Sequence, residues 1–279
     1  MTANYKGKKM IPGDDEVQVE IDGPIMLVTL NRPKANAIDL PTSRKLGEAF
    51  VYFRDTPELK VAIITGAGER IFCAGWDLKA LDSGDTPLEN WWEAEDPELG
   101  GFAGLTEMWN LNKPVIAALN GLTIGGGFEI ALACDLIIAA EHVEFALPEL
   151  PLGLIPDAGA VQRLPKRLPY NIALEMLYLG RRMPAKEAAQ YGLINKIVPA
   201  EDLMQTAKEW AEKMAQVAPL ALQSIKEVLR AIEGETIENS FQKMRYDDLP
   251  TYKAMLSSDD AGEGVKAFVE KRDAKFKGQ

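Results

Sequence analysis

At 279 residues, 47% of them hydrophobic, the chain is long and apolar enough to bury one large core. Its net charge of −11 argues against a nucleic-acid footprint, which needs a concentrated basic face. No apolar run approaches the roughly 20 residues of a membrane span and the first residues lack a signal peptide's apolar centre, so a cytoplasmic protein without a membrane partner is expected.

The predicted elements begin after a lead through residue 13. Val17–Ile21 and Ile25–Leu30 flank Asp22-Gly23-Pro24 and read as a β-hairpin. Asn31–Ile38 is a loop, and from Thr42 to Phe53 the spacing of Leu46, Ala49, Phe50 and Phe53 predicts an amphipathic helix. Val61–Thr65 is a strand of the buried type, which completes a βαβ rhythm. Val115–Leu119, a helix from Gly127 to Cys134, and Leu136–Ala140 repeat it. Glu144–Leu147 is expected to extend the sheet and Pro148-Glu149 to end it, with His142 in the preceding turn. Gly153–Gly159 is a turn before a helix through Leu164. From Asn171 the pattern is helical apart from a strand at Ile194–Val198, with helices near 201–216, 218–232, 235–246 and 258–275. The expected division is an α/β core over residues 1–215 and a helical region over 216–279.

Several chemistries drop out. With His142 the only histidine, a Ser-His-Asp triad and a multi-histidine metal site are nearly excluded, and Cys73 and Cys134 sit in apolar runs as free, buried thiols do. A P-loop, a Gly-x-Ser-x-Gly elbow and a Gly-x-Gly-x-x-Gly after the first strand are all missing.

Two glycine-bearing turns remain, Phe72-Cys-Ala-Gly-Trp-Asp77 and Ile124-Gly-Gly-Gly-Phe128, each downstream of an apolar strand and therefore at one edge of the sheet. If the N–H of Trp76 and that of Gly126 converge, they form an oxyanion hole suited to thioester chemistry. Glu129, one turn further on, is either a capping acid or one half of an acid–base pair. Glu149, set between Ala-Leu-Pro and Leu-Pro-Leu, is either a structural ion-pair member or the other half, because an unpaired buried carboxylate is costly. Were both to face one cavity, mutual repulsion would leave one protonated and one ionised.

With these residues in register, the chain resembles the crotonase (enoyl-CoA hydratase/isomerase) superfamily along nearly its whole length. The pieces are Asn31-Arg-Pro-Lys-Ala-Asn-Ala37, Ala74-Gly-Trp-Asp77, Asn120-Gly…Gly-Gly-Gly-Phe-Glu129, Pro148-Glu149…Gly153…Pro156, Gln162-Arg-Leu164 and Phe268-Val-Glu-Lys-Arg272. Stretches such as Val61–Glu69 and Gly100-Gly-Phe-Ala-Gly-Leu-Thr-Glu107 are similar to its carnitinyl-CoA dehydratase (crotonobetainyl-CoA hydratase) branch. The resemblance implies a spiral of ββα turns with a helical C-terminal oligomerisation region that forms a homotrimer or a dimer of trimers. It implies reversible hydration of an α,β-unsaturated acyl-CoA, with coenzyme A as part of the substrate and neither prosthetic group nor metal. Trp76 and Gly126 would be the oxyanion donors, and Glu129 and Glu149 the acid–base pair. Lys34, Ala35 and Ala37, with the backbone of Ala74, Trp76, Asp77 and Leu78, would hold adenine and pantetheine, while Phe268 and Lys271 would reach CoA from a neighbouring subunit. Otherwise the basic tail is a solvated helix end.

A short-chain hydratase with ordinary acyl groups, a Δ3-Δ2 enoyl-CoA isomerase and a non-catalytic CoA-binding homologue remain as alternatives; two glutamates favour hydration over isomerisation. Asp157 and Ala160 depart from the glycines of many hydratases. Trp76, Trp91, Trp92 and Trp109, with Glu93, Glu95 and Asp96, offer aromatic faces and carboxylates for a quaternary ammonium, or else form an acidic lid.

Overall fold

The computed structural model describes residues 12–83 and 97–278. Strands β1 (Val17–Asp22) and β2 (Ile25–Leu30) form the antiparallel hairpin, and helix α1 (Leu40–Asp55) follows. Asp39 caps that helix by accepting the Thr42 N–H at 2.9 Å. At its other end the buried ammonium of Lys113 donates to the carbonyls of Phe53 and Thr56 at 2.8 and 2.6 Å.

Three similar turns of chain come next, each giving one strand to a large sheet, one to a small sheet, and then a helix. The first is β3 (Val61–Gly66), β4 (Ile71–Cys73) and α2 (Leu78–Asp82). The second is β5 (Val115–Leu119), β6 (Leu122–Ile124) and α3 (Gly126–Ala133), and the third is β7 (Leu136–Ala140), β8 (Glu144–Ala146) and α4 (Ala160–Arg167). Helix α5 (Tyr170–Leu179), β9 (Met183–Pro184), α6 (Ala185–Gln190) and β10 (Lys196–Val198) complete the sheets. The large sheet runs β1-β2-β3-β5-β7-β10, parallel except at the hairpin; the small one runs β4-β6-β8-β9. This is the expected spiral. One expectation is corrected: Glu144–Ala146 pairs with Leu122–Ile124 in the small sheet and does not extend the large one.

Both faces of the large sheet are covered, which is why its strands are continuous apolar runs. In β5, Val115, Ala117 and Leu119 enter the core between the sheets. The alternate residues Ile116 and Ala118 face outward and pack with Leu203, Ala207 and Ala211 of α7 (Leu203–Ala215). The remaining helices are α8 (Pro219–Ala231), α9 (Ile237–Tyr246), α10 (Pro250–Leu256) and α11 (Asp259–Glu270). The Glu227 carboxylate accepts the Thr251 and Tyr252 N–H groups at 3.1 and 2.8 Å, so α8 caps α10. Helix α11 ends at Glu270, five residues short of the expected end at 275, because Lys271 takes a left-handed conformation at φ +54.

Candidate active site

Between β6 and α3 the chain turns at Gly125, φ +56. A Cβ built there would stand 2.7 Å from Glu149 Oε1, so glycine lets that carboxylate lie directly against the turn. Gly126 is the first residue of α3, and a first-turn N–H has no carbonyl one turn behind it. Its donor therefore sits at the positive end of the helix.

On the facing side, β4 leads through Ala74 and Gly75 to Trp76. The Ile38 N–H donates to Gly75 O and the Asp77 N–H to Ile38 O, both at 2.8 Å, in a parallel bridge between Ile38 and Trp76. In such a bridge the residue's own amide turns to the opposite side. There the Gly75 backbone lies against α3, since a Cβ at Gly75 would stand 2.7 Å from the Gly126 nitrogen. The Trp76 and Gly126 amides thus border one opening, and the Trp76 ring is backed by Phe102 at 5.1 Å between centroids.

Glu129, in the first turn of α3, is 3% exposed, and its Oε1 accepts the Ala160 N–H from the start of α4 at 2.9 Å. Glu149 follows β8, and its Oε2 is buried without a hydrogen-bond partner. Burial pushes the Glu129 carboxyl up to about 8, opposed by the Ala160 N–H and reinforced by the charges of Glu149 and Asp157. Burial likewise pushes Glu149 up to about 7, with its own N–H opposing and Asp157 adding. Desolvation is the main cause for both; the expected repulsion adds to it at Glu129, where the Glu149 charge raises the carboxyl further.

These groups line one cleft of about 590 Å³, within the range of small-molecule sites. Ala37, Ala74, Asp77 and Leu78 form one end, the amides and Glu129 and Glu149 the middle, and the Gly153–Asp157 turn the other end. The Asn31–Ile38 loop is set in place by its own polar groups. Asn36, 5% exposed, donates to the carbonyls of Ala67 and Ile71 and accepts the Arg32 N–H, while Arg32 pairs with Asp39 at 2.7 Å. Ala35 O accepts the Ala74 N–H at 3.1 Å, joining the two segments; Lys34 and Ala35 stand beside the lining and are not part of it.

Phe268 and Lys271 are not brought to this cleft; Phe268 is 87% exposed on α11. Of the tryptophans considered for an acyl pocket, Trp76 lines the cleft, whereas Trp109 lies elsewhere, beneath the Arg163 guanidinium at 5.9 Å. Trp91, Trp92, Glu93, Glu95 and Asp96 lie outside the described residues. Sequence reasoning missed the Ala160 amide, which has no side-chain signature, and the apolar wall of Leu152, Leu154 and Ile155. The wall had a signal, since Leu150-Pro-Leu-Gly-Leu-Ile-Pro156 is too apolar for an ordinary surface turn. Among the described residues, no cluster of three or more His, Cys, Asp or Glu side chains is placed to hold a metal.

In this ββα spiral the carboxylates of Glu129, buried, and Glu149, half-buried, share one cleft with a pair of backbone amides. The enoyl-CoA hydratase/isomerase family model matches residues 20–279, and the chain belongs to that family. It is 53% identical over 257 residues to a carnitinyl-CoA dehydratase of Proteus mirabilis, covering 92% of this chain and 96% of the relative. It is 52% identical over 258 residues to a carnitinyl-CoA dehydratase of Salmonella typhimurium, covering 92% and 97%. Among solved structures, enoyl-CoA hydratase from Mycobacterium tuberculosis superposes with a TM-score of 0.84 at 36% identity, covering 95% of this chain and 100% of the other. Enoyl-CoA hydratase from Bacillus anthracis gives 0.85 at 34%, with the same coverage.

Proposed function

We propose that the protein reversibly hydrates an α,β-unsaturated acyl-CoA, interconverting crotonobetainyl-CoA and carnitinyl-CoA. The observation that carries this is the pair of carboxylates, Glu129 buried and Glu149 half-buried, both pushed up by burial, in one cleft with the Trp76 and Gly126 amides. The acyl group follows the relatives' names, carnitinyl-CoA dehydratase, over more than nine-tenths of the chain.

In hydration, the thioester oxygen accepts the Trp76 and Gly126 N–H groups, so charge developing on it meets fixed donors at a helix end. Ionised Glu129 takes a proton from water as the water oxygen adds to Cβ, and protonated Glu149 delivers a proton to Cα. Dehydration runs the same exchange backwards, with Glu149 ionised and Glu129 protonated at the start. With Glu149 pushed up to about 7 and Glu129 to about 8, the pair carries a single proton between those values, and either placement of it begins one direction of the reaction. Lys34, Ala35, Ala37 and the Ala74–Leu78 backbone hold the CoA moiety. Phe268 and Lys271 meet it from a neighbouring subunit, in a cytoplasmic trimer or dimer of trimers whose contacts come from residues 216–279. No prosthetic group enters the scheme.

The test is loss of enoyl-thioester absorbance with purified protein and crotonobetainyl-CoA or crotonyl-CoA. Turnover of crotonobetainyl-CoA is expected. Inertness toward both sinks the hydratase assignment, and exclusive turnover of crotonyl-CoA sinks the acyl assignment.

A further inference from the structure

The two ends of the cleft differ in charge. Near Ala37 and Leu78 it carries Lys79 and Asp77, the latter already engaged as the α2 cap and with Arg32 at 3.4 Å. From the amides inward, the lining side chains that carry charge are Glu129, Glu149 and Asp157, all acidic. Arg163 of α4 acts on Glu129 from behind, outside the lining. Once a thioester oxygen sits on the amides and Cα and Cβ lie between the glutamates, the rest of the acyl chain points to the Gly153–Asp157 turn. Asp157 is exposed there and also borders a second cavity, of about 590 Å³, beyond the turn, where Arg163, Lys166 and Arg167 stand on its far side from the cleft. Around it stand Leu152, 52% exposed, and Ile155, 57% exposed, two large apolar side chains left open beside a carboxylate. A carboxylate on the acyl group is repelled by Asp157, and a plain alkyl end brings no charge to answer it. A quaternary ammonium uses both, because its methyls need apolar contact and its charge needs an anion.

We propose that Asp157 determines specificity, taking the quaternary ammonium of the acyl group by Coulomb attraction while Leu152 and Ile155 contact its methyls. This deepens the proposed function and rests on it. The cation also offsets the repulsion that Asp157 exerts on both glutamates, so an acid that would burden hydration of a neutral enoyl group becomes compatible with a charged one.

The experiment compares crotonobetainyl-CoA with 5,5-dimethylhex-2-enoyl-CoA, the same shape with carbon in place of the charged nitrogen. In the wild type the cationic substrate is expected to have the higher kcat/KM. In Asp157→Asn that preference should fall by about tenfold, the size of a Coulomb contact near a protein surface, and mainly through KM; Asp157→Glu should restore part of it. An unchanged preference in Asp157→Asn overturns the proposal. Parallel losses for both substrates in a variant with wild-type thermal unfolding also overturn it, and assign Asp157 to proton transfer instead. A wild type that hydrates only the neutral isostere removes the charge selectivity while leaving a hydratase, whereas one inert to both removes the hydratase assignment itself.

Discussion

The two glutamates proposed to carry the chemistry are held in states that cost stability. In the unfolded chain a glutamate releases its proton around 4.5, whereas the folded protein keeps that of Glu129 to about 8 and that of Glu149 to about 7. Between those values the folded state binds more protons than the unfolded one, so stability falls as pH rises through the window. Glu129→Gln retains an oxygen for the Ala160 N–H and removes the ionisation. We therefore expect its melting temperature to exceed that of wild type at pH 8.5 and to converge with it near pH 4, while hydration falls by roughly 10²–10⁴-fold. Glu149→Gln should behave alike in both assays. A variant retaining near wild-type turnover would rule out the two-acid mechanism. The same pair makes kcat/KM bell-shaped with its maximum between about 7 and about 8, because each direction needs one carboxyl ionised and one protonated. A rate that rises monotonically to pH 10 contradicts this. At Gly125, alanine would place its Cβ 2.7 Å from Glu149 Oε1 at a φ of +56, so Gly125→Ala should lower kcat by displacing that carboxylate, with little effect on the CoA end.

At the scale of elements, the cleft depends on connections that local sequence describes unevenly. The five- and six-residue runs of β3, β5 and β7 were legible because both sheet faces are buried and every position but Thr65 lacks a polar side chain. Strands β4 and β6 were not: each has three residues, and pairing across the small sheet, not local propensity, makes them extended. Helix α10 was missed for a related reason, since seven residues are marginal alone and its first N–H groups depend on Glu227 of α8. Glu129, Glu149, Trp76 and Gly126 could be picked out because glycines and prolines mark the turns carrying them. Asp157 was visible only as an oddity, its place in the cleft depending on how Gly153–Gly159 folds back toward α3. Lys113 illustrates what such connections cost to lose. It is 6% exposed and holds the carbonyls of Phe53 and Thr56, where a cation also suits the C-terminus of α1. Lys113→Met keeps the apolar stem but strands both carbonyls, and it should lower the melting temperature by roughly 4–10 °C. No loss of stability would mean that water replaces the ammonium.

At the scale of the whole molecule, the described chain leaves a large apolar surface uncovered. Ile237 is 80% exposed, Tyr246 76%, Val265 68%, Phe268 87% and Val269 74%, all on α9 and α11. Val265, Phe268 and Val269 are spaced i, i+3, i+4, so they share one face of α11. Contiguous exposed apolar faces of this kind mark interaction surfaces, and here the face adjoins Lys271, the residue proposed to meet CoA from a neighbouring subunit. One surface would then serve assembly and substrate binding together, which gives the two a common dependence. Sedimentation equilibrium of the wild type should report three or six copies. Val265→Asp with Phe268→Asp places two charges in that face, and should yield monomers that still fold, because neither side chain contributes to the core between the sheets. The monomer should retain Glu129, Glu149 and both amides while lacking a neighbour's CoA contact, so KM should rise more than kcat falls. A wild type that sediments as a monomer, or a dissociated variant with unchanged KM, would place the CoA contacts wholly within one chain and leave α11 without that role.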